Sequence, residues 1–404
     1  MFLLVVRIPV ASALRLYCSS VFPSLPLLQL ILVSLMAHLA LAGSRITTSL
    51  YALSLQSSEF TVGTLIALFS LFPMLLAVPT GRLVDRVGVM KPMLLGCLSM
   101  AVGCALPSVV DGLPVLYLAT LFMGTGFMAV QVVSQHTVGA MSVTEKRAAN
   151  FSWLALGYSI SGFCGPVIAG FIIDHARYSI AYMVFCAFAL AALILTARGR
   201  LGQIELAGHA EIAPSRSAFD LLRDTEMRRI YVIGTLLSSA WDLFTFVLPI
   251  HGSRLGFAAS TIGLILGCFS AATFTVRLAT PWISRRHTEW QVLASALTLA
   301  VICYAVFPMM RQPFSLAAVA AILGLAVGSS QPNMLALLHQ SAPAGRAGEA
   351  VGIRITIGNA CQVLLPLAFG GAGATLGLSA VFWGMGAMIG AGVPLAWQKA
   401  LMKR

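Results

Sequence analysis

Charged and amide side chains set inside long apolar runs are the residues of this sequence that could do chemistry. Asp242 is the one acid well inside such a run. Arg45 and His38 lie in another, seven residues apart and on one face of a helix. A charge at the centre of a membrane helix costs about 2.5–3.5 kcal/mol on insertion scales, so each needs a reason. A lone buried carboxylate can take up and release a proton, which makes Asp242 the candidate titrating group. Asp242 and Arg45 could equally neutralise one another as a structural pair, and His38 could be a packing residue; these readings stay open. Amides form a second set. Gln131 and Gln135, one turn apart, share a face with Ser134 and His136 nearby; Gln331 and Asn333 follow Ser329 and Ser330. Such groups either bind a polar solute or tie helices together. Trp241, Tyr158, Asn359 and Gln362 complete the candidates for a cavity lining. Arg277 and Arg354, near the ends of their runs, are expected to extend their heads to the interface.

Other chemistries lack their residues. There is no GxxxxGK[ST] phosphate loop, no histidine pair at zinc-ligand spacing, no CxxC and no GxSxG elbow. The expectation is a protein that is not an enzyme, with no cofactor and no metal. Seven of the eight cysteines lie in apolar segments and read as small packing residues.

The elements that must position these groups are membrane helices. Of 404 residues, 59% are apolar and 9% charged, against roughly 25% charged in a soluble domain. Apolar runs of about 20 residues recur, the length of a spanning helix rather than of a barrel strand. Spans are expected near 28–53, 61–80, 93–110, 115–139, 150–173 and 180–197, then 229–250, 260–281, 291–308, 314–338, 349–371 and 379–397. The fold class is therefore an all-α membrane protein of twelve transmembrane helices. The halves repeat at an offset of 200: Thr61 through Ser70 reads TVGTLIALFS and Thr261 through Ser270 reads TIGLILGCFS. The same offset pairs Gly124 with Gly324, Gln131 with Gln331, Pro166 with Pro366 and Gly170 with Gly370. Two similar six-helix bundles around a shared central space follow from this. The expected domains are an N-terminal extension (1–26), a first bundle (27–197), a central loop (198–228), a second bundle (229–397) and a tail (398–404). A short amphipathic helix is expected around Ala218–Arg228.

The formal net charge of +12 has a topological cause rather than a nucleic-acid partner. Nineteen of the 25 Lys and Arg fall on segments sharing a side with both chain ends. Only Arg177, Arg254 and Arg311 fall on the other side, and Arg45, Arg277 and Arg354 lie within spans. Cytoplasmic loops carry such an excess, so both termini are expected in the cytoplasm, in a cell inner (cytoplasmic) membrane.

Between the second and third spans the chain reads Gly81-Arg82-Leu83-Val84-Asp85-Arg86-Val87-Gly88, then Lys91. This resembles the loop motif G-x-L-x-D-R-x-G-R-K of the major facilitator superfamily, with Val89 in place of a basic residue. The resemblance implies two six-helix bundles, a cavity lined by helices 1, 4, 7 and 10, and alternating access. It also implies that Asp85 helps latch the halves near the start of helix 11, where Arg346, Glu349 and Arg354 lie. Gly81 and Gly88 permit a tight turn and close helix approach. The fifth span carries Gly157, Gly162, Gly165-Pro166 and Ala169-Gly170, similar to the G-P-x-x-G-G motif of many antiporters of the superfamily. Thr120 stands where those antiporters have a helix-4 arginine.

The expected function is secondary transport of a small organic solute, coupled to protons, with export favoured over uptake. An organic-anion uptake symporter anchored by Arg45 is the alternative; a solute sensor without flux is the alternative of another class. Expected partners are a small-molecule substrate, protons and the lipid bilayer, with no second copy of the chain.

Overall fold

The computed structural model describes residues 25–141, 144–199, 201, 219–283, 286–343 and 347–402. Residues 1–24 of the expected extension and most of the central loop lie outside the described residues. So do Arg346 and the side chains of Arg82, Asp85 and Glu349, and with them the expected latch.

Twelve helices among the described residues are long and apolar enough to cross a membrane. We label them α1 (Leu25–Ser54), α2 (Glu59–Val87), α3 (Met90–Val109), α4 (Leu113–Met141), α5 (Thr144–His175) and α6 (Tyr178–Arg198). The second bundle holds α7 (Thr225–Arg254), α8 (Ala259–Ile283), α9 (Glu289–Val306), α10 (Pro313–Gly328 and Ser330–Ser341), α11 (Ala347–Leu376) and α12 (Leu378–Gly390 and Val393–Met402). An even number of crossings puts the start of α1 and the end of α12 on one face, here called the terminal face.

Local chemistry sets the boundaries. Ser58 caps α2 by accepting from Thr61 N at 3.2 Å. Gly88 closes the helix at φ 79°, a conformation only glycine adopts without strain. The expected amphipathic helix divides instead: Phe219–Arg223 forms one turn, and Asp224 restarts the chain by accepting from Met227 N at 2.8 Å as the cap of α7. Thr288 and Gln291 form a capping box at α9. The turns after α1 and α7 are repeat mates with matching hydrogen bonds. Ser57 N reaches Ala52 O and Phe257 N reaches Gly252 O, with positive φ at Gln56 and Gly256.

Helix α10 is broken, which hydrophobicity alone did not show. Pro332 cannot donate to the preceding turn, and serines supply local bonds there: Ser329 Oγ to Ala326 O and Ser330 Oγ to Val327 O.

The bundles meet along two seams, α5 against α8 and α2 against α11. Glycines set both. A Cβ on Gly63 would stand 2.3 Å from the Pro366 carbonyl oxygen, and one on Gly263 would stand 2.3 Å from that of Pro166. Gly170 lies against Ala259 and Gly370 against Glu59. Gly81 lies on the same side of α2 as Gly63, about five turns on, yet a Cβ there would meet nothing within 4 Å. No described neighbour makes the close approach expected at Gly81.

Candidate functional site

Four helices, two from each bundle, bring the central polar groups together. Asp242 on α7 is 9% exposed and within electrostatic reach of Arg45 on α1. The Gln362 carboxamide on α11 lies within hydrogen-bonding reach of the Asp242 carboxylate. The Gln362 oxygen in turn accepts from Ser70 Oγ on α2 at 3.0 Å. Arg45 also lies over the Phe69 ring, 5.9 Å from its centroid. The offset of 200 places Asp242 at the depth of Ala42, one turn from Arg45, and the structure brings the two groups together. It does not join them: no direct ion pair forms between Arg45 and Asp242 among the described residues. Two opposite charges held near each other without contact can separate electrostatically when the carboxylate takes a proton.

Beside this centre the bundles differ. In the first, the His38 Nδ1 is 2.6 Å from Ser161 Oγ, and its ring packs at 5.2 Å from Phe127 and 5.1 Å from Tyr158. This half-buried histidine is held by packing partners on α4 and α5. Ser34 and Ser134 join α1 to α4 through their hydroxyls at 2.7 Å. Gln131 is half-buried and Gln135 exposed on α4.

In the second bundle, Arg277 corrects the expectation that it extends to the interface. Its Nη2 donates to Gln331 Oε1 at 3.0 Å, and its guanidinium lies 5.8 Å from the centroid of Trp241. The indole and amide draw it inward along α8. Gln331 is therefore paired with Arg277. Asn333 is buried and donates to Ser329 O at 2.7 Å, so its amide serves the break in α10 instead of the cavity. Trp241 stands edge-on to Phe269 at 4.7 Å. Arg354 is half-buried on α11 with its Nε enclosed, and Asn359 is half-buried.

The motif glycines of α5 make close contacts. Gly165 lies against Ala42 and Gly43 of α1 and Gly170 against α8. Pro166 deprives the Gly162 carbonyl of its helical donor, and Ser270 Oγ of α8 donates to that oxygen at 3.1 Å. In the loop motif, Arg86 is an exposed basic residue in the last turn of α2 and Gly88 its close.

Sequence reasoning missed the groups that shut the face opposite the termini. Asp174, at the end of α5, accepts from Ala259 N at 2.7 Å and Ser260 N at 2.8 Å at the start of α8. Glu59, at the start of α2, pairs with Arg254 at the end of α7. A carboxylate at a helix C-terminus opposes that helix's dipole, and this was the available signal: Asp174 satisfies the N-terminus of another helix instead. Cavities of about 530 and 350 Å³ open on this face, one beside Asp174 and Tyr178, the other beside His251 and Arg254. They lie away from the Arg45–Asp242 centre.

The fold and the centre can be set beside known proteins. The tetracycline resistance protein, class B, of Escherichia coli is 24% identical over 327 residues, 76% of this chain and 77% of that protein. A crystal structure of a POT family transporter in complex with 5-aminolevulinic acid superposes with TM-score 0.78 at 13% identity, covering 93% of this chain and 96% of that one. The nucleoside transporter NupG gives TM-score 0.75 at 12% identity, covering 92% and 99%. At these identities the structural likeness is one of fold. The model of the Major Facilitator Superfamily matches residues 30–366, and with that span of agreement the chain belongs to this superfamily of membrane transporters.

Proposed function

We propose that the protein exports a small organic solute in exchange for protons, by alternating exposure of the Arg45–Asp242 centre to the two sides of the membrane. Residues 27–197 and 229–397 are the two moving bodies, and the terminal face is cytoplasmic. The carrying observation is Asp242: a buried carboxylate between the bundles, within reach of a guanidinium on the opposite bundle yet not bonded to it. Protonation removes its attraction for Arg45 and so changes the balance between the bundles. Similarity to a resistance protein supports export over uptake. In the described state the seams are shut at the opposite face by Asp174 and by the Glu59–Arg254 pair, as a carrier closed on that side requires.

Proteoliposomes test the reading. Asp242→Asn should abolish gradient-driven accumulation while leaving solute counterflow, since exchange needs no net proton movement. Undiminished accumulation in that variant would sink proton coupling through Asp242, and binding without counterflow in the wild-type protein would mark a sensor.

A further inference from the structure

We infer that Arg277, Trp241 and Gln331 form a subsite for the carboxylate of an aromatic organic anion, which makes planar aromatic carboxylates the substrate class. The inference deepens the transport reading above and rests on it for the word substrate. Charge is the first argument. The interiors of the spans expected from sequence hold three arginines, Arg45, Arg277 and Arg354, against one acid, Asp242. Arg45 faces Asp242. Arg277 faces no carboxylate among the described residues: its polar partner is the neutral Gln331 amide and its packing partner the Trp241 ring. Arg254 at the opposite face shows the usual resolution, a paired glutamate. A cation inside a span without a counter-ion is costly, and such residues mark the path of a charged ligand. A passing anion supplies the missing charge.

Geometry is the second argument. A guanidinium carries five N–H donors in a planar fork, and one goes to Gln331. The others suit a flat two-oxygen acceptor, which is a carboxylate. Arg277 is half-buried and Gln331 exposed. The pair joins α8 to α10, and the Trp241 ring brings α7 against it. Trp241, half-buried on α7, presents its ring to this cation, 5.8 Å from the guanidinium. Phe269 holds it edge-on from behind at 4.7 Å, with Phe244 packed 4.7 Å from Phe269. Both phenylalanines are fully buried, so Trp241 is a fixed apolar wall for a ring, with the carboxylate anchor at one edge.

The test uses the purified chain in lipid nanodiscs, with benzoate, 2-naphthoate and indole-3-acetate as probes and methyl 2-naphthoate as the neutral control. The acids should quench tryptophan fluorescence and the ester should not. Arg277→Gln should weaken the acids about tenfold or more, the loss of a charge-assisted hydrogen bond, and Arg277→Lys should fall between. Trp241→Phe should remove the quench while the acids still raise thermal stability. If Arg277→Gln fails to fold, Gln331→Leu and protection of the wild-type protein against unfolding carry the measurement. None of the acids binding, or Arg277→Gln binding them as the wild type does, overturns the subsite. Binding without counterflow in proteoliposomes would retire the transport reading and leave the subsite standing. Counterflow of a cationic dye with no binding of any acid would do the reverse.

Discussion

The two seams between the bundles are built on one plan, and one of them has been converted to chemistry. In the α5–α8 seam, Gly263 meets the carbonyl of Pro166, and Ser270 Oγ donates to the backbone oxygen of Gly162. In the α2–α11 seam, Gly63 meets the carbonyl of Pro366, and the repeat mate Ser70 donates at the mate of Gly162, which is Gln362. There the acceptor is a side-chain oxygen. A glycine in the first seam leaves a backbone joint; a glutamine in the second extends an amide to Asp242. The same serine thus closes a gap in one seam and reaches the charged centre in the other. Duplication supplies the scaffold, and a single departure from symmetry places the functional group.

The largest effect should come from filling the glycines. Gly63→Val and Gly263→Val each force a side chain against a backbone oxygen 2.3 Å from the Cβ position. Overpacking of well-packed sites costs about 1–3 kcal/mol, and a carbonyl yields less readily than a side chain. Both variants should lose the state shut at the opposite face and with it counterflow. Increased labelling of Phe257→Cys by an impermeant thiol reagent should report the opening. Loss in Gly63→Val alone would show that the α2–α11 seam moves while the other acts as a fixed hinge. Wild-type counterflow in both would break the idea that the seams close during transport.

The latches at the opposite face come next. Asp174 gives both carboxylate oxygens to backbone N–H groups at the start of α8. Charge-assisted bonds of this kind are worth about 1.5–3 kcal/mol. Glu59 is buried but pairs with Arg254, whose side chain is 52% exposed, and solvent around the arginine weakens the pair relative to the doubly accepted backbone cap. Asp174→Asn should therefore open the face more than Glu59→Gln, by the same thiol labelling. High salt should mimic Glu59→Gln and not Asp174→Asn. Equal effects would mean that the ionic latch is shielded from solvent and as strong as the capping one.

Much of this was legible beforehand, for physical reasons. Apolar runs and the offset of 200 locate the helices and the two bundles, because burial in lipid leaves so few alternatives. Asp242 and Arg45 stand out because charge in a span is costly. The partners did not stand out. Gln362 was one weak candidate among several, since its role depends on the crossing of α2 and α11. Arg277 looked like an end-of-helix residue until Trp241 and Gln331 were seen beside it. Asn333 looked like a cavity amide, although Ser329-Ser330-Gln331-Pro332-Asn333 already held the signal of a helix break. Asp174 and Glu59 sit at helix ends, where acids are ordinary; only the packing of one bundle on the other gives them partners.

The smallest effect belongs to the paired serines, and it sharpens the comparison most. Ser270→Ala leaves the Gly162 carbonyl without its donor, because Pro166 already removed the helical one. The cost is that of one buried hydrogen bond, about 0.5–1.5 kcal/mol, and it falls on stability, since no mobile or titrating group is touched. Thermal unfolding should register it while accumulation and counterflow remain as in the wild type. Ser70→Ala leaves the Gln362 backbone unchanged and frees its amide to turn about χ3. Stability should hardly move, but the amide should reorient toward Asp242 or away from it. The ratio of gradient-driven accumulation to counterflow should then shift, with counterflow alone little affected. If both serines behave as stability residues, the α2–α11 seam is a backbone joint like its mate, and the amide of Gln362 has no part in coupling.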